Sequence, residues 1–171
     1  DFITDPTFLT NADGVKSLTP QGADPLAVDL PAGATSWGKL TGIDNWTTNL
    51  LIEVIPGATY RISYDVRSGT GNTSTDGIGS FWWHLTADGN ASQGYSNFNP
   101  GLKKENATDW VHVERDFTPG DSVDWRYLRP ALRASGGPWL VTNFHVRIIT
   151  GGNPVLIARD DVTVADVRDV S

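Results

Sequence analysis

The sequence predicts an all-β protein, a sandwich of two antiparallel sheets or a barrel. Segments in which apolar and polar residues alternate recur along most of the chain. Clusters of Gly, Pro, Asn and Asp separate them at short intervals, and these are the residues that make turns. No stretch has the Ala-, Glu- and Lys-rich character of a helix, and glutamate is confined to Glu53, Glu105 and Glu114.

Taken in order, Leu26–Leu30 alternates and stops at Pro31-Ala-Gly33, which predicts a strand. Thr48–Ile55 is the next, ended by Pro56-Gly57. Thr59–Arg67 alternates strictly. Tyr60, Ile62, Tyr64 and Val66 fall on one face, with Arg61, Ser63, Asp65 and Arg67 on the other. Ser68–Gly77 holds no apolar residue and reads as a loop. Ile78–Thr86, Trp110–Phe117, Val123–Arg133, Trp139–Ile149 and Val155–Val167 complete the set of strand patterns. About ten strands at this spacing, with no repeat and no linker, make residues 1–171 one domain. Residues 150–171 are either its closing strand or a C-terminal extension.

Composition excludes several functions. A net charge of −7 opposes nucleic-acid binding, which needs a basic surface. No apolar run approaches the ~20 residues of a membrane span, so membrane insertion is not expected. The absence of cysteine removes disulfides, thiol catalysis and thiolate zinc sites. The chain has no phosphate-cradling glycine motif and no nucleophile elbow. His84, His112 and His145 lie far apart in separate strand patterns, which suits structural or surface histidines better than a metal triad. The many aspartates mostly sit beside Gly or Asn, where Asp shapes turns. The chain is therefore not expected to be an enzyme.

Aromatic residues are the remaining signal, with seven tryptophans. Most are expected in the core, where large rings fill the space between sheets. Phase singles out others. In Phe81-Trp-Trp-His-Leu85, alternation groups Phe81, Trp83 and Leu85 as the better core set. Trp82 and His84 are then expected on the outer face. Trp125, Tyr127 and Arg129 share a face opposite Leu128, Pro130 and Leu132. An exposed ring flanked by Arg, Asn and Asp suits the apolar C–H face and surrounding hydroxyls of a sugar.

Several segments, in order along the chain, resemble the family 4/9-type carbohydrate-binding modules. They are Asp5-Pro-Thr-Phe8, Leu26–Gly33, Pro56-Gly-Ala-Thr-Tyr-Arg-Ile-Ser-Tyr64, Trp110-Val-His-Val-Glu-Arg-Asp-Phe-Thr118 and Gly151–Val162. The resemblance implies a jelly roll that binds polysaccharide or cell-wall glycan in a concave, aromatic-lined cleft and carries out no chemistry. It implies sugar-stacking roles for Trp37, Trp82 and Tyr95, with Trp125, Tyr127 and Arg129 on a neighbouring strand. It also implies one structural calcium, with Thr7, Asp24 and Asp160 at the matching positions, since calcium accepts mixed carbonyl and carboxylate oxygens. A second register ends the module at Trp139–Val146, puts Thr142-Asn143 in place of the aspartates and removes the metal. Leu128-Arg-Pro-Ala-Leu132 and Ala158–Val167 resemble segments of tail proteins of phages that infect Gram-positive bacteria. That context implies an extracellular or virion-associated parent with further domains and a role in host recognition. A secreted glycan-degrading enzyme, or a purely structural virion sandwich, is the alternative.

Overall fold

The computed structural model describes residues 24–35, 37–40, 43–47, 50–74, 78–85, 92–98, 100–119, 127–150 and 156–158. Among these are ten strands: β1 (Gly38–Leu40), β2 (Ile43–Thr47), β3 (Leu50–Glu53), β4 (Thr59–Ser68), β5 (Ile78–Leu85), β6 (Ser92–Phe98), β7 (Val111–Phe117), β8 (Tyr127–Ser135), β9 (Trp139–Thr150) and β10 (Leu156–Ala158). The only helical element described is a single 3-10 turn at Lys104–Asn106. The strands form two antiparallel sheets. One has four strands in the order β1-β9-β4-β7. The other has six, in the order β10-β3-β8-β5-β6, with β2 also pairing β8.

Alternation builds the core between the sheets. On β4, Tyr60, Ile62, Tyr64 and Val66 are fully buried, the face expected from the sequence. Val113, Val141, Phe144 and Val146 join them from β7 and β9. The second sheet contributes Ile52, Ile78, Leu128, Leu132 and Ala134. Each buried Leu, Ile or Phe contributes about 1.5–3 kcal/mol relative to exposure. Two tyrosines tie this core to backbone through their hydroxyls. Tyr64 Oη donates across the sandwich to the carbonyl of Ile78 at 3.3 Å. Tyr60 Oη donates to the Glu53 carbonyl at 2.6 Å and accepts the Ile55 amide at 3.1 Å. The Tyr60 pair secures the chain where β3 ends, before the Pro56-Gly57 turn.

Leu26–Leu30 is not the strand its alternation predicts. The Asp24 carboxylate accepts the Leu26 amide at 3.0 Å, and the Asp24 carbonyl accepts the Ala27 amide at 2.9 Å. Pro25 and Pro31 lack the N–H that a ladder needs. Asp29 adopts a left-handed backbone with φ 50. Local Asp hydrogen bonding therefore overrides the pattern, and residues 24–34 run as an irregular strap. The strand expected over Thr48–Ile55 is described as β3 at Leu50–Glu53. The described part of the pattern starting at Val123 begins at Tyr127, and that of Val155–Val167 is β10. No helix among the described residues is long and apolar enough to cross a membrane.

Candidate functional site

Each sheet turns one face to the core and one outward. The register fixes which residue belongs to which, because directly opposed residues of an antiparallel pair share a face.

On the six-stranded sheet, β8 sets the phase. Leu128, Leu132 and Ala134 are fully buried, and Pro130 is buried with them. Opposite them on β5 stand His84, Trp82, Ser80 and Ile78: His84↔Leu128, Trp82↔Pro130, Ser80↔Leu132 and Ile78↔Ala134. Trp82 and His84 therefore occupy core-face positions. Phe81, Trp83 and Leu85 occupy the outer face, and the expected phase of β5 is reversed. Hydrophobicity could not decide between the two sets, because both carry aromatics. Tyr127 and Arg129 alternate with the buried Leu128 and Pro130 on β8, and both are half-buried. Trp83 lies directly opposite Arg129 on one side and Tyr95 of β6 on the other. Leu85 lies opposite Tyr127. The outer face of this sheet thus carries a row Tyr95–Trp83–Arg129 across three adjacent strands, with Tyr127 one row away. Trp37 sits apart, half-buried, just before β1 of the other sheet. Trp125 lies outside the described residues.

The outer face of the four-stranded sheet is polar. Ser63 and Asp65 of β4 stand opposite Glu114 and His112 of β7. On the other side Ser63 faces His145 of β9. Between His145 and Thr142 the β4–β9 register slips by one residue, and Asn143 in this bulge has a left-handed backbone, φ 51. A bulge re-aims a side chain that a regular strand would direct elsewhere. Asn143 Nδ2 donates to Asp65 Oδ2 at 2.8 Å and to the Ala32 carbonyl of the strap at 3.1 Å. Asp65 Oδ1 is 2.8 Å from His112 Nδ1. A carboxylate only accepts, so it holds the imidazole proton on Nδ1 and leaves Nε2 facing outward. Glu114 Oε2 is 3.8 Å from that Nε2, and its Oε1 is 3.4 Å from Arg61. Arg61 forms a bidentate pair with Asp116 at 2.7 and 3.0 Å and holds that carboxyl below its ordinary range.

These groups surround a pocket of about 440 Å³. Ser63, Asp65, His112, Glu114, Asn143, His145 and Arg147 line it from the sheet, and Ala32 and Gly33 from the strap. The imidazoles are the only rings among this described lining. Burial and the nearby Arg147 charge push His145 below the ordinary histidine value of 6.5, with Asp65 opposing. His145 is therefore a neutral imidazole at pH 7, able to donate from one nitrogen and accept at the other. Along the sequence the three histidines are dispersed. The fold brings His112 and His145 to one site, because β7 and β9 flank β4. The polar phase of each strand was readable, but the strand order that unites them was not.

The strap is fastened at both ends. The Val28 carbonyl accepts Trp110 Nε1 at 3.0 Å and Arg67 at 3.4 Å. Asp24 is buried, and its carboxylate accepts the Leu26 amide, the Thr70 amide at 3.1 Å and the Thr70 hydroxyl at 2.7 Å; Lys39 Nζ lies 3.5 Å away. Burial alone would raise the Asp24 pKa, but these donors and the Lys39 charge outweigh it and hold it below the ordinary 3.8. Of the residues matched to a calcium site, Asp24 is thus met by protein donors, while Thr7 and Asp160 lie outside the described residues. No three His, Asp or Glu among the described residues are grouped to hold a metal ion.

This fold and these two faces define a jelly-roll β-sandwich of the kind found in carbohydrate-binding modules. Compared by sequence, the chain matches no protein-family model and no curated protein. Among solved structures it is similar to the CBM22-1 xylan-binding domain of Paenibacillus barcinonensis Xyn10C, with a TM-score of 0.51 and 13% identity, covering 72% of this chain and 79% of that one. It is also similar to the enzymatically active domain of bacteriophage CBA120 tailspike protein 4. There the TM-score is 0.52 and the identity 14%, over 84% of this chain but only 22% of the tailspike chain. A family 16 carbohydrate-binding module matches over 86% of this chain at 19% identity and a TM-score of 0.48. At these identities the first two likenesses bear on the fold alone.

Proposed function

We propose that this chain is a non-catalytic glycan-binding module of an extracellular or virion-associated protein, and that a polysaccharide lies along the outer face of the six-stranded sheet. The observation that carries the reading is the row Tyr95–Trp83–Arg129, with Tyr127 close by on the same face. Aromatic positions on a non-core sheet face cost solubility unless they serve contact. Aromatics beside a guanidinium supply both the apolar platform and the hydrogen-bond donors that a pyranose ring requires. The sandwich shared with a xylan-binding domain supports the glycan-binding class. Host recognition from a phage tail is the context in which we place it.

A glycan array followed by calorimetry tests this reading. Wild type is expected to bind a polysaccharide, and Trp83→Ala and Tyr95→Ala to weaken that binding with the fold retained. The same polysaccharide incubated with the protein should show no new reducing ends. Absence of binding to any plant, bacterial or cell-wall glycan would make this a structural sandwich, and turnover would make it an enzyme.

A further inference from the structure

We propose that the pocket beside the strap is a second binding site, which takes one neutral, hydroxyl-rich sugar unit through hydrogen bonds rather than ring stacking. The site lies on the outer face of the four-stranded sheet, so it stands independently of the aromatic row on the other sheet. Its volume of about 440 Å³ falls within the range of small-molecule sites. The lining interleaves donors and acceptors: Ser63, His112, His145 and Arg147 beside Glu114 and Asp65. Sugar hydroxyls donate and accept at the same oxygen, so a mixed wall suits them better than a wall of one kind.

Charge narrows the class. Two carboxylates and one guanidinium line the pocket, and His145 is neutral at pH 7. An acidic ligand would meet Asp65 and Glu114, and the whole chain carries −7. A neutral sugar avoids that repulsion and gives Glu114 a hydroxyl to accept from.

Asparagine takes the left-handed backbone more readily than other side-chain-bearing residues, and in the β9 bulge Asn143 turns its amide across the site. Here one amide bridges the two walls, binding Asp65 of the floor and Ala32 of the strap. It donates to the Asp65 oxygen that His112 leaves free and so helps to orient the carboxylate paired with His112. Asn143 is thus the positioning residue of the site.

The test is a titration of wild-type protein with the methyl glycosides of glucose, galactose, mannose and N-acetylglucosamine, read by the His112 and His145 imidazole resonances. At least one glycoside should shift both, saturably, and glucuronate should bind several-fold more weakly. Glu114→Gln should weaken the sugar about tenfold, and Trp83→Ala should leave it unchanged. Asn143→Gly keeps the left-handed backbone but removes the bridge. It should move the His112 resonances without ligand and weaken the sugar. Overturning results are no shift with any glycoside up to its solubility limit, or shifts that disappear with Trp83→Ala. The second would place all binding on the aromatic row and leave that reading intact.

Discussion

The two sheets differ in how their outer faces are made. On the six-stranded sheet the outer row is aromatic and guanidinium, set by register alone across β6, β5 and β8. On the four-stranded sheet the outer face is a hydrogen-bonded polar network, shaped by a bulge and bordered by a strap. The first can hold a long ligand by surface contact, with little to fix its orientation. The second is an open pocket beside the strap, several of whose groups are already paired with one another. In the proposed reading, one sandwich presents an extended platform and a pocket on opposite sides of a shared core.

The largest expected effect separates core from platform on a single strand. Trp82→Ala should cost about 3–5 kcal/mol of stability, the usual loss for a large core aromatic. Trp83→Ala should cost clearly less, because the register puts it on the opposite face from Trp82. Chemical denaturation of both variants decides it. If Trp83→Ala unfolds the domain and Trp82→Ala does not, the register of β5 against β8 is wrong and the aromatic row dissolves.

That contrast also marks what the sequence can reveal. The face of β4 was legible because one phase holds Tyr60, Ile62, Tyr64 and Val66 and the other holds only polar or charged residues. The β8 phase was legible because Leu128 and Leu132 share one face while Arg129 and Arg133 share the other. On β5 both phases hold tryptophan, so the larger apolar set was assigned to the core. The assignment follows instead from the partner strand, whose buried Leu128, Pro130 and Leu132 fix the inner face. The strap departs from its pattern because alternation does not register the local Asp24 hydrogen bonds or the missing N–H groups of Pro25 and Pro31. The pocket was hidden for a topological reason. His112, Asp65 and His145 are far apart in sequence and meet only because β4 lies between β7 and β9.

A smaller effect tests the strap that distinguishes the polar face. Asp24→Ala leaves Thr70, the Leu26 amide and Lys39 without their acceptor. A buried donor stripped of its partner costs about 1–3 kcal/mol. Thermal melting should show that loss, and the pocket should lose affinity for its sugar with it, because Ala32 and Gly33 belong to the strap. Retained stability would mean that Asp24 does not fasten it.

On the aromatic face, Trp83→Ala and Tyr95→Ala should each reduce polysaccharide affinity by about 0.5–1.5 kcal/mol beyond the lost contact area, roughly two- to tenfold. Their double variant should be additive to within the usual error only if the two rings hold separate sugar units. Calorimetry on the four proteins of the cycle reports the coupling. A strong coupling would mean that both rings grip one unit.

The smallest expected effect is a pH dependence that belongs to the polar face alone. The folded protein holds His145 below 6.5, so its folded form binds a proton less readily than the unfolded chain does. As pH falls below 6.5 the unfolded state takes up that proton first, and stability declines until the folded value is passed. Above 6.5 both states are neutral at this residue and it contributes no slope. Asp24 acts in a separate window: its lowered pKa means its stabilisation is present above 3.8 and is lost as pH falls through the folded value. Melting temperatures of wild type and His145→Gln, measured from neutral to acidic pH, should differ by a curve that is flat above 6.5 and slopes below it. Solvent reaches part of His145, which keeps the slope shallow. A difference curve flat across the whole range would mean that burial and Arg147 do not govern this imidazole, and His145 would then not be held neutral for the pocket.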